Sequence, residues 1–232
     1  MKLLIVENNA ELQKLLTHLA QKEGFEVLTA MTGAEALAIN AGHRPEIVCL
    51  DLLLEDMSGF DVFRKIRQEE KADGAKEAFV LIISSKSNPE DLEKGQELGA
   101  EDYIVKPFDV VDITARLRQV ARKVLARDEP GGLEAGFDFG GIKVFPGRLE
   151  GLRDDESIDL SLRDIDILRL FHTHRGEIIT HARLIAHCWG ASAMPGEKAV
   201  DWQIGQLRKK IEPDPAAPSL IASVDDNGYR FG

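Results

Sequence analysis

Short apolar runs and amphipathic stretches take turns along the first half of the chain. Lys2–Val6, Phe25–Ala30, Ile47–Asp51, Phe79–Ser84 and Tyr103–Val105 have the length and branched-chain content of strands. Several are apolar throughout, as strands covered on both faces are. Helical patterns lie between them, over Ala10–Glu23, Gly33–Ala41, Gly59–Glu70, Pro89–Leu98 and Val110–Ala126. This alternation predicts an α/β domain built on a doubly wound parallel sheet. The texture then changes. "ARDEPGGLEAG", Ala126–Gly136, mixes charge, Pro and Gly as a linker does. Short strand-like pieces follow in "FDFGGIKVFPGRLEGLRDDESIDL", then two or three helices, and "LIASVDDNGYRFG" closes the chain as a hairpin. The expected organisation is a first domain over residues 1–122, a linker over 123–136 and an α+β domain over 137–232.

Composition narrows the class. A chain of 232 residues is long enough for two domains of ordinary size. With 44% hydrophobic and 30% charged residues it reads as globular rather than disordered. No apolar run approaches the ~20 residues of a spanning helix. The amino terminus enters a strand directly, without the basic-then-apolar pattern of a signal peptide. Cys49 and Cys188 stand alone in apolar surroundings, against a disulfide framework or a zinc site. The expected compartment is the cytoplasm, with no membrane partner. A net charge of −11 argues against a general nucleic-acid binder and leaves a local basic patch open.

The strand ends carry the chemistry. Glu7 follows the first strand, Asp51 closes the third, Ser84 the fourth, and Lys106 follows the fifth in "DYIVKPF". Neighbouring strands meet at their carboxyl ends at the switch point of a doubly wound sheet. One rim should therefore hold two carboxylates, a hydroxyl and an ammonium. An aspartate so placed can be a metal ligand, a nucleophile or both. A purely structural Asp51–Lys106 ion pair is the plainer alternative. In "LLIVENNAEL" the acid is followed by Asn8 and Asn9, which lack the charge a metal site wants but cap helices well.

Glu7, Asp51, the "DMSG" of Asp56–Gly59, Ser84, Tyr103 and the "KPF" of Lys106–Phe108 together resemble the receiver domain of bacterial response regulators, over about the first 122 residues. The resemblance implies a flavodoxin-like receiver in which Asp51 accepts a phosphoryl group from a histidine kinase. Ser84 and Lys106 would contact the phosphoryl oxygens, and Tyr103 would swing inward with Ser84. It also implies Mg²⁺ held by Glu7, Asp51, the Leu53 backbone carbonyl and, where the family has a second acid, Asn8. The amide removes one negative charge from a site for a hard dication, so affinity and transfer rate should fall. Two other readings stay open. One is a pseudo-receiver that works by protein contact without phosphorylation. The other is a phosphohydrolase with Asp51 as nucleophile, opposed by Leu53, which stands two residues on and offers no general acid or base. A homodimer through the fourth and fifth helices and the strand between them is implied as well, with Asp102, Asp112 and Arg116 matching. Leu92 replaces a basic residue there, which leaves Asp112 short of a partner. About four extra residues before the fourth strand are assigned to a solvated loop in "EEKADGAKEAF".

In the second half, "LSLRDIDILRLFHTHRGEIITHARLIAHCWG" predicts a helix with Ile165, Leu168 and Phe171 on its inner face and a second over Arg183–Cys188. "EKAVDWQIGQLRKKIE" predicts a third, with Val200, Ile204, Leu207 and Ile211 on one face and Lys198, Gln203, Gln206, Arg208, Lys209 and Lys210 on the other. Helix–turn–helix followed by a hairpin is a DNA-reading arrangement, with the last helix in the major groove and the hairpin as a wing. "VDWQIGQLRKKIEPDP", "NGYRFG" and "RLIAHCWG" resemble the winged-helix effector of the OmpR/PhoB family, from about Phe137 to the end. The resemblance implies double-stranded DNA read by Lys198, Ala199, Trp202, Gln203 and Gln206, with Arg208, Lys209 and the wing residue Arg230 also at the interface. Glutamine pairing with adenine and a Trp edge on a thymine methyl favour an A·T-leaning site, unless Trp202 is instead a packing residue. The departures are less basic than the family pattern. Gly205 and Gln206 stand where basic residues are frequent, the wing carries Asp225 and Asp226, and residues 137–232 hold 12 basic against 15 acidic side chains. The loop Gly190–Lys198 is where such proteins meet RNA polymerase. The whole chain thus reads as a DNA-binding regulator rather than an enzyme with a small-molecule substrate.

Overall fold

The computed structural model describes residues 1–189, 196–224 and 228–232. They form two compact units, Met1–Val124 and Leu125–Gly232. In the first, β1 (Lys2–Val6), β2 (Glu26–Ala30), β3 (Ile47–Leu50), β4 (Phe79–Ser84) and β5 (Asp102–Val105) form a parallel sheet in the order β2-β1-β3-β4-β5. The order reverses at β1 and β3. Val6 pairs with Leu50 there, so Glu7 and Asp51 leave the sheet side by side.

The helices are α1 (Ala10–Glu23), α2 (Gly33–His43), α3 (Gly59–Asp73), α4 (Pro89–Glu97) and α5 (Val110–Asp128). Leu4, Val6, Val48, Leu50, Val80 and Ile82 form one core face against Ala36 of α2 and Phe60, Phe63 and Ile66 of α3. Each such large side chain taken fully out of water contributes about 2 kcal/mol before entropy is counted. Polar caps fix where the helices begin. Asn9 Oδ1 accepts the Glu11 and Leu12 amides at 3.0 Å each, and Asn88 caps α4 with Pro89 at the first helical position.

Two expectations change. Part of the segment assigned to a solvated loop is the last turn of α3, which ends at Asp73 with left-handed Gly74. Buried Glu70 anchors the return to β4 by accepting the Ala78 amide at 2.7 Å and pairing with Arg67. The helix expected over Val110–Ala126 also runs two residues further, to Asp128, and Val120, Ala121 and Val124 continue its buried stripe into the start of the segment assigned to the linker.

Asp56 docks the loop after β3 onto α2, taking the Gly33 and Ala34 amides at 2.8 and 2.9 Å. These two bonds hold its carboxyl below the ordinary value. A depressed folded-state value stabilises fully above the unfolded-state value and is lost as pH falls through the folded one. The difference in urea midpoint between wild type and Asp56→Ala should therefore be largest near neutrality and shrink on acidification through the carboxylate range.

The second unit opens with a four-stranded antiparallel sheet, β6 (Phe137–Phe139), β7 (Ile142–Phe145), β8 (Glu150–Arg153) and β9 (Glu156–Asp159). Then come α6 (Leu162–Thr173), β10 (Ile178–Ile179), α7 (His181–Cys188), α8 (Glu197–Ile211), β11 (Ile221–Val224) and β12 (Gly228–Phe231). The last three strands pair in the order β10-β12-β11, and the two-residue β10 was not legible as a strand. Helix α7 starts two residues earlier than expected, because the Thr180 side chain caps it. Ile165, Leu168, Phe171, Leu184, Val200, Ile204, Leu207 and Ile211 are buried. Glu212, buried after α8, takes the Ser219, Leu220 and Ile221 amides and so fixes the approach to β11. Asp225 and Asp226, and residues 190–195 of the loop expected to meet RNA polymerase, lie outside the described residues.

Candidate functional site

Glu7 and Asp51 are only 2% and 4% exposed. The Lys106 ammonium bridges them, 2.5 Å from Glu7 Oε2 and 2.7 Å from Asp51 Oδ2. The remaining oxygens are also used: Glu7 Oε1 accepts the Asn9 amide at 3.1 Å and Asp51 Oδ1 the Leu53 amide at 3.0 Å. Carboxylates withdrawn from water in this way need a partner for each oxygen, and here all four have one. Ser84 is fully buried at the end of β4, its hydroxyl accepting the Lys86 amide at 3.4 Å. Ser84 pairs with Val105, which places Lys106 next on the rim.

Tyr103 donates its hydroxyl to the Lys86 carbonyl at 3.0 Å. Burial first, and then the charge of Asp91, push this phenol above its ordinary value, so it stays a donor. Gly95 makes room for the ring. A Cβ at position 95 would lie 2.9 Å from Ile82 Cδ1 and 3.3 Å from Tyr103 Cδ2.

The two asparagines divide the work. Asn9 caps α1, while Asn8 Nδ2 donates to the Leu53 carbonyl at 2.9 Å. That carbonyl is the one the resemblance assigns to Mg²⁺. Among the described residues no group of three or more His, Cys, Asp or Glu is placed to share a metal ion. With the carbonyl on an amide and both carboxylates on an ammonium, this donor set does not fit a dication as it stands. Hard ions want several free, charged oxygens.

On α5, Arg116 Nε meets both oxygens of Asp112, at 3.0 and 3.1 Å, and its Nη1 meets Asp102. Within its own chain Asp112 is thus paired one turn along the helix, whereas the expectation drawn from Leu92 concerns its partner in a second copy. Asp102 and then Asp112 raise the guanidinium above its usual value.

On α8, Lys198, Ala199, Lys209 and Trp202 face solvent, and Gln206 is half-buried. Trp202 is 62% exposed, so it is not a packing residue. Arg230 is exposed on β12. Two expected DNA contacts are turned inward. Gln203 Nε2 donates to buried Asp164 at 3.1 Å, because it flanks the Val200–Ile204–Leu207 stripe. Arg208 holds the Ile221 carbonyl at 2.6 and 3.0 Å and Ser223 Oγ at 3.0 Å, strapping β11 to the helix. Lys210 also reaches Asp164, at 2.7 Å.

A cluster that the sequence did not reveal completes this face. Asp201 Oδ1 accepts the Tyr229 hydroxyl at 2.5 Å and meets His181 Nε2 at 2.7 Å, joining α8 to β12 and to the start of α7. The Tyr229 bond, then His181, keeps the Asp201 carboxyl low. Burial and then Asp201 push Tyr229 up. An acid between Val200 and Trp202 reads as a surface residue, and nothing local announces either partner.

Residues 3–118 match the family described as response regulator receiver domain, and residues 155–231 match transcriptional regulatory protein, C terminal. The chain belongs to the response regulators, in their OmpR/PhoB branch. This regulator is 32% identical to the alkaline phosphatase synthesis transcriptional regulatory protein SphR of Synechococcus elongatus, over 100% of its own chain and 91% of that protein. It is 34% identical to the sensory transduction protein RegX3 of Mycolicibacterium smegmatis, over 98% and 97% of the two chains. The fold of the regulator's receiver is similar to the signal receiver domain of a putative Luxo repressor protein from Vibrio parahaemolyticus, with TM-score 0.51 and 24% identity over 55% of this chain and 94% of that one. Receiver domains generally bind Mg²⁺ at their phosphorylation site.

Proposed function

We propose that this response regulator is a transcription factor whose receiver takes a phosphoryl group on Asp51 from a partner histidine kinase. The observation that carries the reading is Lys106 Nζ at 2.7 Å from Asp51 Oδ2, at the sheet's switch point. An Asp51 oxygen forms the new O–P bond as the donor's P–N bond breaks, and the kinase imidazole leaves and takes up a proton. The Lys106 ammonium neutralises charge on the phosphoryl oxygens, and the Leu53 amide is already aimed at the carboxylate. Ser84 and Tyr103 respond to the added oxygens, and the change reaches the Asp102–Asp112–Arg116 face, where two copies pair. Lys198, Ala199, Trp202, Gln206, Lys209 and Arg230 then meet double-stranded DNA, and pairing two weak half-sites multiplies the affinity that the acidic balance withholds. RNA polymerase is met through the loop before α8, in the cytoplasm. Among the described residues no helix is long and apolar enough to cross a membrane.

Incubation with a small phosphoryl donor tests this, read by intact mass and by light scattering. One phosphoryl group is expected on the wild type together with dimer formation, and none on Asp51→Asn. A protein that is never labelled yet binds DNA unchanged would be the pseudo-receiver instead. The Asn8–Leu53 bond is the observation in favour of that second reading.

A further inference from the structure

We propose that the Asn8 amide stands in for a divalent cation in this receiver, so that protein atoms alone close the Asp51 rim and the ion is taken up only weakly. The inference rests on reading that rim as the phosphoacceptor pocket. It begins with what Asn8 is not needed for. Helix α1 is capped by Asn9, whose Oδ1 takes two amides. The Asn8 side chain instead spans from the end of β1 to the loop after β3, where its Nδ2 meets the Leu53 carbonyl at 2.9 Å.

An acid at position 8 could not make this bond. An ionised carboxylate only accepts, and so does a carbonyl, so the two oxygens would repel unless a cation lay between them. The amide removes that need, because it donates where the acid would have required an ion. Charge points the same way. Glu7 and Asp51 carry two negative charges against the one positive charge of Lys106, a balance of −1, and an acid at position 8 would make it −2. Uptake of an ion must therefore displace the Asn8–Leu53 bond and gain less attraction in return. The Leu53 amide, bonded to Asp51 Oδ1, is meanwhile held by the same short loop. The acceptor carboxylate is thus oriented by the peptide N–H and by Lys106.

Mn²⁺, which shares the oxygen preference of Mg²⁺, is titrated by calorimetry into the full-length wild type, Asn8→Asp and Asn8→Ala. Asn8→Asp should bind at least ~10-fold tighter than wild type, and Asn8→Ala no tighter. Hydrogen exchange of the segment around Leu53 should be slow in wild type, indifferent to Mg²⁺, and faster in Asn8→Ala. Wild type binding as tightly as Asn8→Asp, or an Asn8→Ala variant with unchanged exchange, would overturn the proposal. If Asn8→Asp does not fold, the exchange of Asn8→Ala decides alone. Phosphoryl labelling of the wild type is read separately. Its failure beside the expected ion and exchange results would remove the phosphoacceptor reading and leave the amide's role standing.

Discussion

Gly59→Ala is expected to destabilise the receiver unit by about 3 kcal/mol, the upper end of what an overpacked site costs. A Cβ at this first residue of α3 would sit 2.2 Å from the Asp51 carbonyl oxygen and 2.6 Å from Leu52 Cα. Both are backbone atoms at the end of β3, and the Asp51 amide is itself tied to Val6 at 2.9 Å. Relief would require α3 to lift from the sheet, taking Phe60 and Phe63 out of the core. Gly33→Ala is the informative comparison. Its Cβ meets side chains only, Met57 Cγ at 2.5 Å and Sδ at 2.8 Å and buried Val62 Cγ2 at 2.8 Å. Met57 can turn away while Val62 has less room, so the cost should be smaller than for Gly59→Ala, where the contacts are backbone. Tryptophan fluorescence reports the second unit alone, because Trp189 and Trp202 both lie in it, while circular dichroism reports the helices of both units. Gly59→Ala should move the circular-dichroism transition to lower urea while the tryptophan transition stays in place. Coincident shifts of both would refute the assignment.

Asp164→Ala is expected to cost the second unit about 3 kcal/mol, from two losses of different kinds. The first is a helix cap. Asp164 Oδ2 accepts the Ser161 amide at 2.9 Å while Ser161 Oγ accepts the Asp164 amide at 3.2 Å, the reciprocal box that starts α6. The second is the anchor of α8, since the same carboxylate, 1% exposed, holds Lys210 and Gln203. Its removal leaves an ammonium and an amide without their acceptor beside the core. The tryptophan transition should fall in urea, and DNA affinity should fall in conditions where the variant is still folded, because α8 has lost its seat. Asp164→Asn keeps an acceptor and loses the charge, so it should lie between the two. An unchanged midpoint in Asp164→Ala would mean that the cluster contributes nothing.

The sheet was legible because its inner strands β1, β3 and β4 are apolar almost throughout, as two-sided burial demands, while the edge strands β2 and β5 are only partly covered. The rim was legible because its polar residues interrupt those strands at their ends. Distant partners were hidden. Asn8 could be seen as an amide where a charge was expected, but its bond to a carbonyl 45 residues away leaves no local trace. Gln203 shows the limit of reading a helix by its faces. The buried stripe of α8 was plain, yet a residue on its flank can turn to either side, and a buried acid on another helix settles which. Arg208 was hidden in the same way, its role set by a carbonyl on β11. The helix read over Val110–Ala126 runs two residues further, to Asp128, before Pro130 and the glycines after it.

Helix α8 and the wing strands are fastened twice, by Arg208 to Ile221 and Ser223 and by Tyr229 to Asp201. In the proposed complex the reading head therefore behaves as a caliper of fixed span, reaching the major groove with one jaw and the neighbouring groove with the other. Any mismatch between that span and the duplex is taken up by the DNA. Operators would then be selected in part by base steps that no side chain touches, those whose stiffness or compliance lets the two grooves come to the protein's own separation.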